Sequence, residues 1–181
     1  MKETQEKAII ILTILTGFLY ILSGCASKAT YQMNSLSEPW AKRGNKLVHP
    51  DKTVIWVGKA VSYKGRLTQK NKDDSYRAVT PNKMLTQAGI DPATAKILSF
   101  SKKWEGDNFI VDIDFPCFSS ASGYKAGERM TTRIVVIYRY IGENVTNRMV
   151  IGIMGYSDCV LSHTQEFGDL VDSISFYLKG S

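Results

Sequence analysis

The chain is poor in the side chains that most often carry chemistry. His49 and His163 are its only imidazoles, and Cys25, Cys117 and Cys159 its only thiols, among 181 residues. Cys159 and His163 stand four apart, yet a zinc site needs two more ligands, and beyond His49 and Cys117 the folded part has no further residue of those types to offer. A Cys–His nucleophile pair built from the same residues lacks any local signature. No Gly-x-Ser-x-Gly turn, phosphate-binding loop or dinucleotide fingerprint occurs, which removes the usual sequence grounds for a serine hydrolase or a nucleotide enzyme. Gly152-Ile153-Met154-Gly155 reads instead as strand glycine that permits close packing or a bulge. The sequence also lacks internal repeats and low-complexity segments. On these absences no catalytic residue, metal or cofactor is expected.

Acids are outnumbered, and unevenly so. The formal net charge is +6, but the stretch from Lys42 to Lys103 carries fourteen Lys or Arg against four acids, whereas Trp104 to Ser181 carries six against ten. Such a basic half suits anionic headgroups, anionic glycan or an acidic protein partner. Nucleic acid is not an expected partner, because no recognition motif accompanies the lysines.

Only one long apolar run is present, Ala8 to Leu22, and at fifteen residues it falls short of the roughly 20 that a spanning helix requires. It ends on Leu22-Ser23-Gly24-Cys25, within the first thirty residues. This arrangement resembles the lipobox of bacterial lipoproteins, in which a cysteine is acylated on sulfur before signal peptidase II cuts in front of it. The resemblance implies a signal peptide over 1–24, lipidation of Cys25 as the first mature residue, and a membrane partner held through that anchor. It implies a place in the bacterial envelope, and Ala26 implies the periplasmic side of the outer membrane in a Gram-negative cell. It covers the leader alone; the rest of the chain resembles no family. In an oxidising compartment the two remaining cysteines imply a Cys117–Cys159 disulfide. Closing that loop of about 42 residues would contribute about 4 kcal/mol in a chain-entropy account.

Residues 25–52 are polar and weakly patterned and read as a lipid-anchored tether, with Trp40 able to dock back on the body. Residues 53–181 then make a single domain, a size sufficient for one core and too small for two. Ile55, Val57, Val61 and Tyr63 alternate as one strand over Thr53–Tyr63. Gln69 to Ser75 reads as a polar turn, and Thr80-Pro81 as the start of a short helix running to Ala88 and stopped by Gly89. A strand over Lys96–Lys103 follows. Phe109, Val111, Ile113 and Phe115 face one way on the next strand, with Ile110, Asp112 and Asp114 facing the other. Pro116 ends it, and Cys117 to Gly127 forms a loop. Arg129–Ile141 and Arg148–Tyr156 are apolar on each face and belong in mid-sheet. Ser162 with Gln165 reads as a capping box for a closing helix whose stripe is Phe167, Leu170, Val171, Ile174 and Leu178. The expected class is α+β: a largely antiparallel sheet of about five strands, a short internal helix, and a C-terminal amphipathic helix packed on one face.

Asp112 and Asp114 are too few oxygens for calcium and read as a solvated strand face. Tyr124, Lys125 and Arg129, on and beside the long loop, are of the types that dominate protein interfaces and form the expected partner-binding site. The basic face around Lys59, Lys64, Arg66, Lys70 and Lys72 is a competing one. The functional expectation is a non-enzymatic, lipid-anchored module with a protein partner, most concretely an immunity-type lipoprotein that neutralises an exported toxin or lipase. The alternatives are an accessory structural lipoprotein of a secretion or assembly machine and an enzyme acting on wall or lipid.

Overall fold

A computed structural model describes residues 27–83, 92–93, 96–117 and 123–177. The lipidation site Cys25, residues 84–88 of the helix expected to run from Pro81 to Ala88, and residues 118–122 of the expected partner loop lie outside the described residues.

Two long strands dominate: β9 (Arg129–Ile141) and β10 (Val145–Tyr156), joined by a tight turn in which Gly142 adopts φ 62°. They pair in continuous register from Val145↔Ile141 to Tyr156↔Met130. Their β-branched residues suit a pleated surface that is covered on both sides, and residues 134–138 and 146–153 are buried on both faces. Beyond β9 come β8 (Asn108–Pro116) and β7 (Ser99–Glu105). On its other edge β10 pairs with two strands in succession, β5 (Val54–Val57) and β6 (Val61–Lys64). The single strand expected over Thr53–Tyr63 is therefore broken. Val57 sits opposite Ile151 and Val61 opposite Arg148, so three residues oppose two, and Gly58 N–H donates to the Val150 carbonyl at 2.7 Å. The extra residue is a bulge, which bends the strand without ending its pairing.

Outward from β5 lie β4 (Lys46–Val48) and β3 (Ala41–Arg43), while β1 (Ser27–Lys28) pairs with β6. The result is a nine-stranded antiparallel sheet, with a separate two-stranded sheet of β2 (Thr30–Gln32) and β11 (Ser175–Tyr177). The α+β class holds, but the strand number exceeds the expected five. The tether reading is corrected as well. From Ser27 onward the chain is woven into the fold, and Ala29 and Trp40 are buried. These strands are two or three residues long, too short to show alternation, and their partners are remote in sequence.

Helices cover both faces. On one, Val160, Phe167, Leu170, Val171 and Ile174 pack with Ile55, Ile137, Met149 and Ile151. They come from α2 (Ser157–Ser162) and α3 (Thr164–Asp172) and the residues just after. Phe167, Leu170, Val171 and Ile174 of the expected stripe are buried and Leu178 lies outside the described residues, but the single helix gives way to two shorter ones. Ser162 ends α2, donating its hydroxyl to the Cys159 carbonyl at 2.8 Å rather than capping a new helix, and after Asp172 the chain turns into β11. On the other face, Phe109, Val111, Ile113, Ile134, Val136 and Tyr138 pack with Trp56 and Val79. Trp56 lies across its cross-strand partner Gly152, where an added Cβ would come within 2.5 Å of the indole. Only glycine allows this approach.

That second face is covered by α1 (Gln69–Ala78), in the segment expected to be a turn. Thr68 caps it: Asn71 N–H donates to Thr68 Oγ1 at 3.2 Å, and Thr68 N–H donates back to Asn71 Oδ1 at 3.1 Å. Lys102 on β7 donates to the carbonyls of Tyr76 and Val79, closing the C-terminal end. Burial pushes the Lys102 ammonium pKa down. Among the described residues no helix is long and apolar enough to cross a membrane.

Candidate functional site

At the end of β10 marked by Tyr156, four segments converge: the turn between β4 and β5, Trp40 just before β3, the junction of α2 and α3, and the close of the loop before β9. The turn is tight. His49 N–H donates to the Thr53 carbonyl at 2.9 Å, Lys52 N–H donates to the His49 carbonyl at 2.9 Å, and Thr53 N–H donates to Asp51 Oδ1 at 2.7 Å. Lys52 adopts φ 75°, a left-handed conformation that is uncommon for a residue with a Cβ.

This turn aims Asp51 between both histidines of the chain. Asp51 Oδ1 lies 2.9 Å from His49 Nδ1, and Asp51 Oδ2 lies 2.9 Å from His163 Nε2. His163 Nδ1 in turn meets Glu166 Oε2 at 2.8 Å, and Trp40 Nε1–H donates to that same oxygen at 3.2 Å. The three rings close the arrangement, with centroids 5.1 Å apart for Trp40 and His49, 5.0 Å for Trp40 and His163, and 4.3 Å for the two imidazoles. Burial alone would raise the Asp51 carboxyl pKa, but the Thr53 amide and both imidazoles outweigh it and hold the group far below the usual carboxylate range. Burial would lower His163; its bonds to Asp51 and Glu166 win and raise it. Glu166 is held down, first by its bond to His163. A carboxylate at each nitrogen favours the charged form of His163, which can donate at both.

The expected partner residues divide here. Tyr124 is 7% exposed and belongs to the packing: its hydroxyl donates to the Lys52 carbonyl and its ring meets Tyr156 edge-on at 5.2 Å. Burial pushes its phenol up to about 12. Tyr124 is thus a buried structural residue and not a surface contact, a correction that follows from the docking of its loop onto the β4–β5 turn. Lys125 is exposed, with its amide N–H donating to the Tyr156 hydroxyl at 3.0 Å, and the Arg129 side chain is 62% exposed. Cys117 and Cys159, expected to be bridged, stand as thiols. Cys159 sits within α2 rather than at a strand end, and its thiol is hydrogen-bonded to Asp51; burial, then the Asp51 charge, raises its pKa.

Asp112 and Asp114 are neither solvated nor metal-like. Asp112 takes a two-pronged bond from its cross-strand partner Arg133, at 2.7 and 3.3 Å. Asp114 accepts from Arg129, from Thr131 at 2.7 Å and from Ser99 at 2.9 Å. Burial raises the Asp114 pKa, yet these bonds lower it by more, so the carboxyl stays below its ordinary value. The stability this contributes is complete above the unfolded carboxylate range and is lost as pH falls through the lower folded value. We expect Asp114→Asn to lower the urea midpoint at neutral pH and to approach wild type in acid. A difference that stays constant across the titration would contradict this.

The competing basic face is partly committed internally. Lys72 Nζ donates to the Gly106 carbonyl and Asp107 at 3.1 Å and lies 5.0 Å over the Trp104 ring, and Arg66 lies 5.3 Å over Tyr140. Lys59, Lys64 and Lys70 remain exposed.

No family model and no curated protein matches the chain. Among solved structures it is similar to LpqN of Mycobacterium tuberculosis, described as involved in cell envelope biogenesis, at 9% identity and a TM-score of 0.46, over 85% of this chain and 91% of that one. It is also similar to the cyanobacterial PsbP (CyanoP) of Synechocystis, at 8% identity and a TM-score of 0.39, over 87% and 99%. Both likenesses are too loose to carry an argument about this chain.

Proposed function

We propose that the chain is a lipid-anchored binding module of the bacterial envelope that grips an exported protein, in the manner of an immunity lipoprotein. One observation supports this most. Strand β1 begins at Ser27, two residues after Cys25, and pairs β6 opposite Asn147 and Arg148 of β10. The corner carrying Lys125 and Arg129 lies at the other end of the same strand, beside Tyr156. Eight residues of strand between Arg148 and Tyr156 span on the order of 25 Å. An acyl anchor on Cys25 would hold the β1–β6 end against the bilayer and turn this corner away from it. The exposed Lys59 and Lys64 flank the anchored end, where anionic headgroups complement them. At the far end α2 follows directly on Tyr156 and carries Leu161, 74% exposed, so this end presents both apolar and charged side chains, a composition suited to rapid, oriented encounter.

The test is co-purification of the full chain from detergent extracts. A single soluble exported protein should accompany the wild type, and Lys125→Glu with Arg129→Glu should weaken its binding at least tenfold, about 1.4 kcal/mol. Undiminished binding by that variant would remove the corner from the interface. Capture of large membrane subunits would instead favour the accessory role in an assembly machine.

A further inference from the structure

We infer that His49, Asp51 and His163 form a binding site for a divalent transition metal of the zinc class, with Glu166 positioning His163 from behind. This goes beyond the binding-module reading and does not depend on it. The imidazole nitrogens and the carboxylate oxygen of the three residues all lie within 4.8 Å of one another, and each side chain is half-buried, open enough for an ion to enter. In a tetrahedral zinc site, bonds of about 2.0 to 2.1 Å put ligand atoms about 3.3 Å apart. Each imidazole already stands 2.9 Å from one of the two Asp51 oxygens, His49 Nδ1 from Oδ1 and His163 Nε2 from Oδ2. Seating an ion therefore requires a small opening and no refolding.

The surroundings match what a metal-bound imidazole needs. His163 faces Asp51 through Nε2, while its outer nitrogen Nδ1 is held by Glu166 at 2.8 Å, and Glu166 is held by the Trp40 indole at 3.2 Å. A carboxylate on the far nitrogen fixes the ring and keeps its tautomer with the lone pair toward the ion. On loading, the Nε2 proton is released to solvent and the lone pair it occupied binds the metal; the Nδ1–H bond to Glu166 is untouched. Asp51 is aimed by the strained turn at Lys52 and by the Thr53 amide. Two imidazoles and one carboxylate favour zinc, cobalt or nickel over calcium or magnesium, which take oxygen ligands. Three protein ligands leave a fourth position for water.

The experiment uses the full, untagged chain in detergent, stripped with chelator and titrated with zinc alone by calorimetry. One equivalent should bind, and cobalt alone should give the intense visible bands of a tetrahedral site. His163→Gln and His49→Gln should each abolish uptake. Glu166→Gln, which keeps every ligand, should weaken it by about 10- to 100-fold. Near-UV circular dichroism reports whether each variant is folded. Should a histidine variant fail to fold, the wild-type cobalt spectrum decides: tetrahedral bands support the site. An aquo-like spectrum, no uptake by folded wild type, or equal uptake by a folded His49→Gln, His163→Gln double variant would overturn it.

Discussion

Trp40→Ala is expected to destabilise the domain by about 3 to 5 kcal/mol, the cost of removing a large buried aromatic side chain and leaving a cavity. Trp40 is 8% exposed, packs in the core cluster of α3 and Ile55, closes over both imidazoles, and donates its indole N–H to Glu166. The same change in a solvated tether would move stability by no more than about 0.5 kcal/mol. A urea titration followed by Trp56 and Trp104 fluorescence therefore separates the two views of residues 25–52. Near-wild-type stability would mean that the N-terminal strands are not part of the cooperative unit.

Phe109→Ala is expected to cost a similar amount, about 3 to 5 kcal/mol, through the opposite face of the sheet. Phe109 is 0% exposed; its ring lies 5.0 Å from Trp104 and 6.3 Å from Tyr76 of α1. Aromatic pairs of this kind add stabilisation beyond the buried area. Removing the ring takes the floor from under α1, so amide exchange should quicken first at Ser75 and Tyr76. With native domains stable by only about 5 to 15 kcal/mol, either substitution removes a large fraction of the total. Loss of stability with α1 amides still protected would show that α1 is held by Lys102 and its cap rather than by Phe109.

Long elements were legible in the sequence and short ones were not. Alternation over Phe109–Phe115 and two-sided apolarity over Arg129–Ile141 gave β8 and β9 nearly to their ends, because nine to thirteen residues let the period show. The bulge at 58–60 hid as continuous strand, since both halves pair with β10. α1 was missed for two reasons: its cap uses Asn71 where Glu or Gln is the usual partner, and it buries little besides Ser75. At the C-terminus the stripe holds from Phe167 to Ile174 while the single helix does not, because Ile174 is reached just past the helix end and the chain then joins β2.

The candidate site was half legible. Both histidines stand out by their scarcity, but Asp51 gives no signal in a short polar turn, and its bond to His163 spans 112 positions. Tyr124 looked like an interface residue by type; nothing in its neighbours foretold that its hydroxyl would reach the Lys52 carbonyl, 72 positions away. Aspartates 112 and 114 read as solvated because their partners Arg133 and Arg129 lie on a different strand.

We propose that a folded binding domain sits directly behind an acyl anchor on Cys25. Anchoring by several acyl chains is firm where one alone is marginal. The most direct measurement is the mass of the N-terminal peptide of the protein recovered from membranes. The expected species is a chain beginning at Cys25 with its sulfur carrying a diacylglyceryl group. A chain still beginning at Met1, or an unmodified Cys25 in the soluble fraction, would contradict it.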